Sequence, residues 1–389
     1  MTACSGQTDQ EIVAATKNII PSLILLFVLL LATHGKLHPQ ELESISFEHI
    51  KTENIKRVQG LSQNMVNTII QDKRGFLWFG TWDGLNRFDG YHFRIFNKQS
   101  GMSNTTINAL LEDEEGNIWV GTQDGLHYLD PETLSVHLLQ HEPGSPNSLS
   151  NNTINHIFED HSGVLWISTV QGLTRYDKSR DAYTRTNFHF SGADSIRTNW
   201  INKVICDREG MFWVASRPGL FKFDPANQLY TPFFHDHDDK SSISSNDINE
   251  IYEDSKGNLW IGTQDGLNLF LGEEKGFKHY VNQKENPGSI SNNEVKAILE
   301  DSKGNLWIGT SDMLNLFNQK KETFQRYGNN RNNSSISNND INYIFEDDMG
   351  SIWVGTYKGV NKLITGMGKF NYYSRDPDDP QSLSSNIIP

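Results

Sequence analysis

Seven side chains suited to holding a ligand stand at corresponding positions of a repeated pattern: Trp82, Gln123, Val170, Arg217, Gln264, Ser311 and Tyr357. Each opens a short turn of the x-D-G type or a variant of it, and each varies while its surroundings stay nearly constant. Uniform positions serve a fold, whereas variable ones on a shared loop face can serve recognition. Aromatic rings and Arg or amide groups on one rim suit stacking and hydrogen bonding to a sugar or similar small molecule. The connector of the fourth repeat adds Arg197, Asn199 and Trp200 to the same face. The expected ligand-binding set is therefore Trp82, Gln123, Arg197, Asn199, Trp200, Arg217, Gln264 and Tyr357. The competing reading of each is an exposed loop residue without a ligand.

Other groups carry less chemistry. The segment "HDHDD" at 235–239 has metal-ligand residue types at short spacing, but it lies in a polar connector and is expected to be a solvated acidic loop. An aspartate six residues before each repeated tryptophan resembles a calcium ligand, yet each stands alone in a hairpin and is expected to form the turn. Asn67, Asn108, Asn155, Asn202, Asn249 and Asn342, with Lys296 in the sixth copy, recur on one strand. They are expected to satisfy backbone groups near a central channel. No G-x-S-x-G, Cys–His pair or phosphate loop occurs, and no carboxylate pair stands out among the 48 acids. Hence no catalytic residue, metal or cofactor is assigned.

The elements that position these residues follow from a fixed period. Trp78, Trp119, Trp166, Trp213, Trp260, Trp307 and Trp353 are spaced by 41, 47, 47, 47, 47 and 46 residues. Asp72, Asp113, Asp160, Asp207, Asp254, Asp301 and Asp347 precede them by six residues, and a glycine precedes each by three. Within one unit, "INEIYED", "LWIGT", "LNLF" and "FKHYVN" are short β-rich runs separated by turn residues. Four strands in about 47 residues is the pattern of a propeller blade. The fold class is therefore all-β, a seven-bladed β-propeller of four-stranded antiparallel blades, with repeats starting near 61, 102, 149, 196, 243, 290 and 336. In such a blade the a–b and c–d turns share one face, and the b–c turns share the other with the connectors. Each tryptophan is expected to wedge between blades, and the small residue two positions after it (Gly80, Gly121, Ser168, Ala215, Gly262, Gly309, Gly355) to let sheets approach closely.

The ends carry further expectations. Residues 1–36, with the apolar run 19–32, suit a signal peptide or membrane anchor that precedes the propeller as an apolar N-terminal helix or signal segment. The propeller spans 45–382. Residues 383–389, "LSSNIIP", copy the start of an eighth repeat, as if a longer parent were cut there. Residues 46–52 are favoured over 369–375 as the outer strand of the last blade. A net charge of −14 speaks against nucleic acid or an anionic membrane as partner. Of the two cysteines, Cys206 stands alone after Cys4 in the leader, so no disulfide framework is expected.

The text "GLSQNMVNTIIQDKRGFLWFGTWDGLNRFDGYHF", with "NDINEIYEDSKGNLWIGTQDGLNLF" and "NEVKAILEDSKGNLWIGTSDMLNLF", resembles the two-component regulator propeller repeat. The resemblance covers about residues 45–386. It implies a periplasmic or extracytoplasmic sensor region of a hybrid two-component histidine kinase or a propeller-containing diguanylate cyclase. It further implies a small-molecule or oligosaccharide ligand, with a second propeller and an output module as partners in a longer parent. A homodimer is a further expectation. The alternatives are a propeller-fold carbohydrate-active enzyme (lyase or glycosidase) or a protein-binding scaffold. The enzyme alternative requires a cluster of ionisable side chains around the channel.

Overall fold

The structure, a computed structural model, describes residues 45–50, 60–130, 132–188, 199–329 and 335–365. The apolar segment 19–32, the competing strand 369–375 and the eighth-repeat start 383–389 lie outside them. Among the described residues no helix is long and apolar enough to cross a membrane.

Seven four-stranded antiparallel sheets follow one another. Among the described residues β1 (Ile45–Ile50) comes first, and the first complete blade is then built from β2 (Val66–Gln71), β3 (Leu77–Thr81), β4 (Gly84–Phe88) and β5 (Phe93–Phe96). The sixth blade ends at Thr323–Tyr327. The seventh takes three strands from the C-terminal side, Ile341–Glu346, Ile352–Thr356 and Gly359–Thr365, and its outermost strand is β1. The N-terminal strand thus closes the ring. That arrangement joins the two ends of the repeat array through one sheet, which a linear stack of repeats lacks.

Every second strand is buried along its whole length, as in "LWFGT" and "LWIGT", because both of its faces meet neighbouring sheets. The seven tryptophans are all at most 3 % exposed. Trp78 packs with Ile107, Leu110, Ile118 and Val120 of the next blade. Trp353 packs with Val66, Ile69 and Phe79 of the first blade, completing the circle.

The repeated aspartate has a second role beyond its turn. In each blade it accepts the indole N–H of its own tryptophan, at 2.8 Å for Trp78–Asp72, 2.7 Å for Trp119–Asp113 and 2.8 Å for Trp353–Asp347. The bond recurs at Trp166, Trp213, Trp260 and Trp307. The other carboxylate oxygen takes backbone N–H groups of the turn, such as Lys256 and Asn258 on Asp254. One buried carboxylate therefore ties the a–b turn to the wedge.

The close approach demanded by Gly309 is direct. A Cβ there would stand 2.6 Å from Ile341 Cγ2 of the next blade. Each innermost strand also bulges after its first residue, as between Ile154 and His156. The extra residue is the recurrent asparagine, or Lys296 in the sixth blade, and the asparagine amide reaches the next blade: Asn108 Nδ2 donates to Ile154 O at 2.9 Å and Asn202 Nδ2 to Ile248 O at 2.7 Å. The asparagines thus satisfy backbone groups around the axis, as their spacing implies.

Candidate functional site

The b–c turns and connectors meet at one end of the ring. The Gly84, Gly125 and Gly266 amides donate to connector carbonyls of Thr105, Asn152 and Asn293. At this end Trp82 is 50 % and Tyr357 51 % exposed, on the first and seventh blades, which adjoin at the closure. Gln123, Arg217 and Gln264 are exposed, and Val170 and Ser311 are half-buried. Arg197 lies outside the described residues.

Two of the expected residues come together. The Arg217 guanidinium lies over the Trp200 ring, 3.8 Å from its centroid, a close cation–π contact. The ladder places them there, since Arg217 N donates to Trp200 O. The Trp200 indole N–H donates to Asn202 Oδ1 at 3.0 Å, fixing the ring at the head of its strand. Asn199 belongs to the scaffold. Its carbonyl accepts from Gly172 N and its Oδ1 from Phe188 N, the same pair of bonds that Asn152 makes with Gly125 and His141. Between neighbouring blades, Gln264 reaches Glu294 at 3.4 Å, and Lys296 donates to Asp340 at 2.7 Å.

Deeper in the ring lies a constellation that the turn positions do not show. The residue two places into each innermost strand is, in order, Thr68, Ala109, His156, Lys203, Glu250, Ala297 and Tyr343. Lys203 pairs with Glu250 of the next blade, with 20 % and 10 % of their side chains accessible. Burial opposes the Lys203 charge, but Glu250 beside it wins and raises its pKa. Burial raises the Glu250 carboxyl while Lys203 pulls it back. His156 is held well below its usual range, first by burial and then by the Lys203 charge, so it is neutral. Its Nδ1 has no hydrogen-bond partner. Tyr343 is pushed up by burial, with Lys203 and Glu250 acting on it in opposite senses. Comparison of the seven aligned strands shows this position to be as variable as the b–c turn, and that variability is the signal that would have found it.

On the opposite face, a groove of about 440 Å³ between the second and third blades is lined by Trp119, Tyr128, Tyr176 and Lys178. Lys178 is fully engaged there. Its ammonium binds Asp113 at 3.0 Å, Glu115 at 2.5 Å and Glu159 at 2.8 Å, so it acts as a tether between blades. The "HDHDD" segment closes on itself: His235 Nδ1 lies 2.8 Å from Ile243 O, and Asp239 accepts from Ser241.

The fold and site define a seven-bladed β-propeller whose variable side chains gather at one mouth and along the axis, on a frame of identical Asp–Trp locks. A family model described as Two component regulator propeller matches residues 60–83, 101–124, 148–171, 242–265, 289–312 and 335–358. The chain thus carries six copies of that repeat. The fourth blade escapes the match, where "ASRPG" stands in place of "GTQDG". The extracellular domain of a hybrid two-component system from B. thetaiotaomicron is 28 % identical with a TM-score of 0.70, over 88 % of this chain and 44 % of that one. This chain thus spans under half the length of that relative. A histidine kinase P4 from Formosa agariphila is 59 % identical over 39 residues, 10 % of this chain and 3 % of that protein. A virginiamycin B lyase from Staphylococcus aureus shares the fold alone, at 10 % identity and a TM-score of 0.60, over 83 % of this chain and all of that one.

Proposed function

We propose that the chain is the extracytoplasmic ligand-sensing propeller of a two-component or diguanylate-cyclase signalling protein, recognising a glycan or other small molecule at the b–c mouth. The observation that carries this is the likeness to the extracellular domain of a hybrid two-component system across 88 % of the chain. Exposed Trp82 and Tyr357, with Arg217 over Trp200, supply the ring faces and polar edges such a ligand needs. Binding would bias the association or rotation of propellers in a longer parent, and that bias would pass to an output module. A glycan array probed with the purified protein tests the reading. Binding that falls on Trp82→Ala or Arg217→Ala supports it, and an array with no bound glycan removes the carbohydrate part.

One observation favours a second reading. His156, Lys203, Glu250 and Tyr343 form a cluster of perturbed ionisable groups of the kind a propeller lyase or glycosidase would use. Incubation with polyuronates and neutral polysaccharides decides it, since release of unsaturated or reducing ends, lost in His156→Ala, would make the chain an enzyme.

A further inference from the structure

Lys203 and Glu250 form an ion pair that stability alone does not call for. Replacing such a buried pair by apolar residues is often neutral or stabilising. Seven equivalent positions were open to the small or apolar residues found at Ala109 and Ala297, yet three consecutive blades carry His156, Lys203 and Glu250. The pair is also incompletely satisfied. The Lys203 ammonium has three N–H donors, of which one reaches Glu250. Glu250 Oε1 accepts from Lys203 and from Ile251 N at 3.0 Å. Its Oε2 is left over, and His156 Nδ1 is buried without a partner. His156 Nδ1 is sealed from solvent, whereas Lys203 and Glu250 keep part of their side chains accessible, so the remaining Lys203 N–H groups and Glu250 Oε2 are the polar atoms left to meet something in the channel.

We propose that this arc is a binding subsite for vicinal hydroxyls of a neutral polyol, most simply the terminal ring of an uncharged glycan. The inference rests on the glycan-sensing reading above and locates it. One hydroxyl accepts from a free Lys203 N–H, and its neighbour donates to Glu250 Oε2. Neutrality follows from charge: Lys203 and Glu250 already cancel, and an anionic group would add an uncompensated charge in a half-buried site. Tyr343 lies across the channel, and Ala109 and Ala297 leave room between. Access is through the b–c mouth along the fourth blade. Trp200 stands at its head, bonded to Asn202, and Lys203 follows about 10 Å further in at strand rise. The Arg217–Trp200 pair thus marks the entrance of the same path.

Isothermal titration of the full chain with myo-inositol, cellobiose, lactose and xylobiose tests this, with digalacturonate as the charged comparison. Lys203→Met/Glu250→Leu keeps the net charge and is expected to fold, and Glu250→Gln keeps the shape. At least one neutral probe is expected to bind, with a Kd raised about tenfold or more in both variants and within about threefold of wild type in Met349→Ala, an exposed a–b turn residue on the opposite face, since the hydrogen bonds lost are in the channel. Binding that survives both channel variants but fails in Trp82→Ala/Tyr357→Ala overturns the subsite and leaves glycan sensing intact. A preference for digalacturonate overturns the neutral ligand class. Failure of every probe on wild-type protein overturns the inference and the carbohydrate reading together.

Discussion

The second blade breaks a polar lock that most other blades keep, and the break carries a measurable pH dependence. In the first blade, Asn86 Oδ1 accepts from Ser62 N at 2.8 Å, and its amide donates back to Ser62 Oγ at 3.0 Å. Asn268, Asn315 and Asn361 repeat the arrangement with Ser244, Ser291 and Ser337. The second blade has His127 at this position. Its Nε2 accepts from Ser103 N at 3.0 Å, which places the proton on Nδ1, and Nδ1 has no hydrogen-bond partner. Burial lowers the His127 pKa to about 4, with Asp124 and the nearby Val120 carbonyl opposing.

A histidine whose folded pKa lies below its unfolded value of about 6.5 stabilises the fold fully above 6.5. That stability is lost as pH falls, because the unfolded chain takes up a proton that the folded chain refuses. With a folded pKa of about 4, the loss between pH 7.5 and pH 4.5 is about 2.5 kcal/mol. His127→Asn restores the carboxamide used in the other blades and removes the titration. Urea unfolding of both proteins at closely spaced pH values measures it. At pH 7.5 the variant is expected within about 1 kcal/mol of wild type, the scale of one hydrogen bond. At pH 4.5 it is expected to be more stable relative to wild type by about 2.5 kcal/mol. His156 and the carboxylates titrate in both proteins and cancel in the difference. Two stability curves that run parallel from pH 7.5 to 4.5 would refute the reasoning, because they would mean the His127 ring takes up a proton in the fold as freely as outside it.

Further outcomes follow from the frame. Trp353→Phe keeps the ring in the wedge but leaves Asp347 Oδ2 without its indole donor, and it is expected to cost about 1.5–3 kcal/mol, as for a hydrogen bond to a charged group. A double-mutant cycle with Asp347→Asn, read by urea unfolding, isolates the coupling. Gly309→Ala drives a Cβ to 2.6 Å from Ile341 Cγ2 and is expected to cost about 1–3 kcal/mol in the same assay. Deletion of residues 1–50 removes β1 and bares the edge of Gly359–Thr365. Such an edge is a template for another chain, so light scattering is expected to show association, with a lowered thermal midpoint.

The frame was legible because its signals are local and repeated. A tryptophan period near 47, glycine at fixed offset and short β-rich runs specify blades whatever the ring does later. The aspartate shows the limit of that reading. Its turn role is a matter of neighbours in sequence, whereas its bond to the indole six residues on depends on how the hairpin folds over, and spacing alone suggests only the first. Closure by β1 was legible as a preference, because an unpaired outer strand at one end of the chain and a blade short of one at the other have a single joint solution.

The site was legible in part, for a physical reason. The b–c turn positions could be found because strand alternation assigns turns to faces, and the contact of Arg217 with Trp200 then follows from the a–b ladder. His156, Lys203 and Glu250 stand 47 residues apart in sequence. Only closure of the ring makes them neighbours, and within its own strand each resembles an ordinary polar residue on a half-exposed edge. The rule that found the mouth finds them too once the strands are aligned. Positions filled alike in all seven blades (the tryptophan and its aspartate) are constrained by packing that every blade shares. A position that holds Thr, Ala, His, Lys, Glu, Ala and Tyr in turn is under no such common constraint. A charged pair at such a position, where Ala109 and Ala297 show that a methyl group suffices for the fold, is the feature that the proposed channel subsite accounts for.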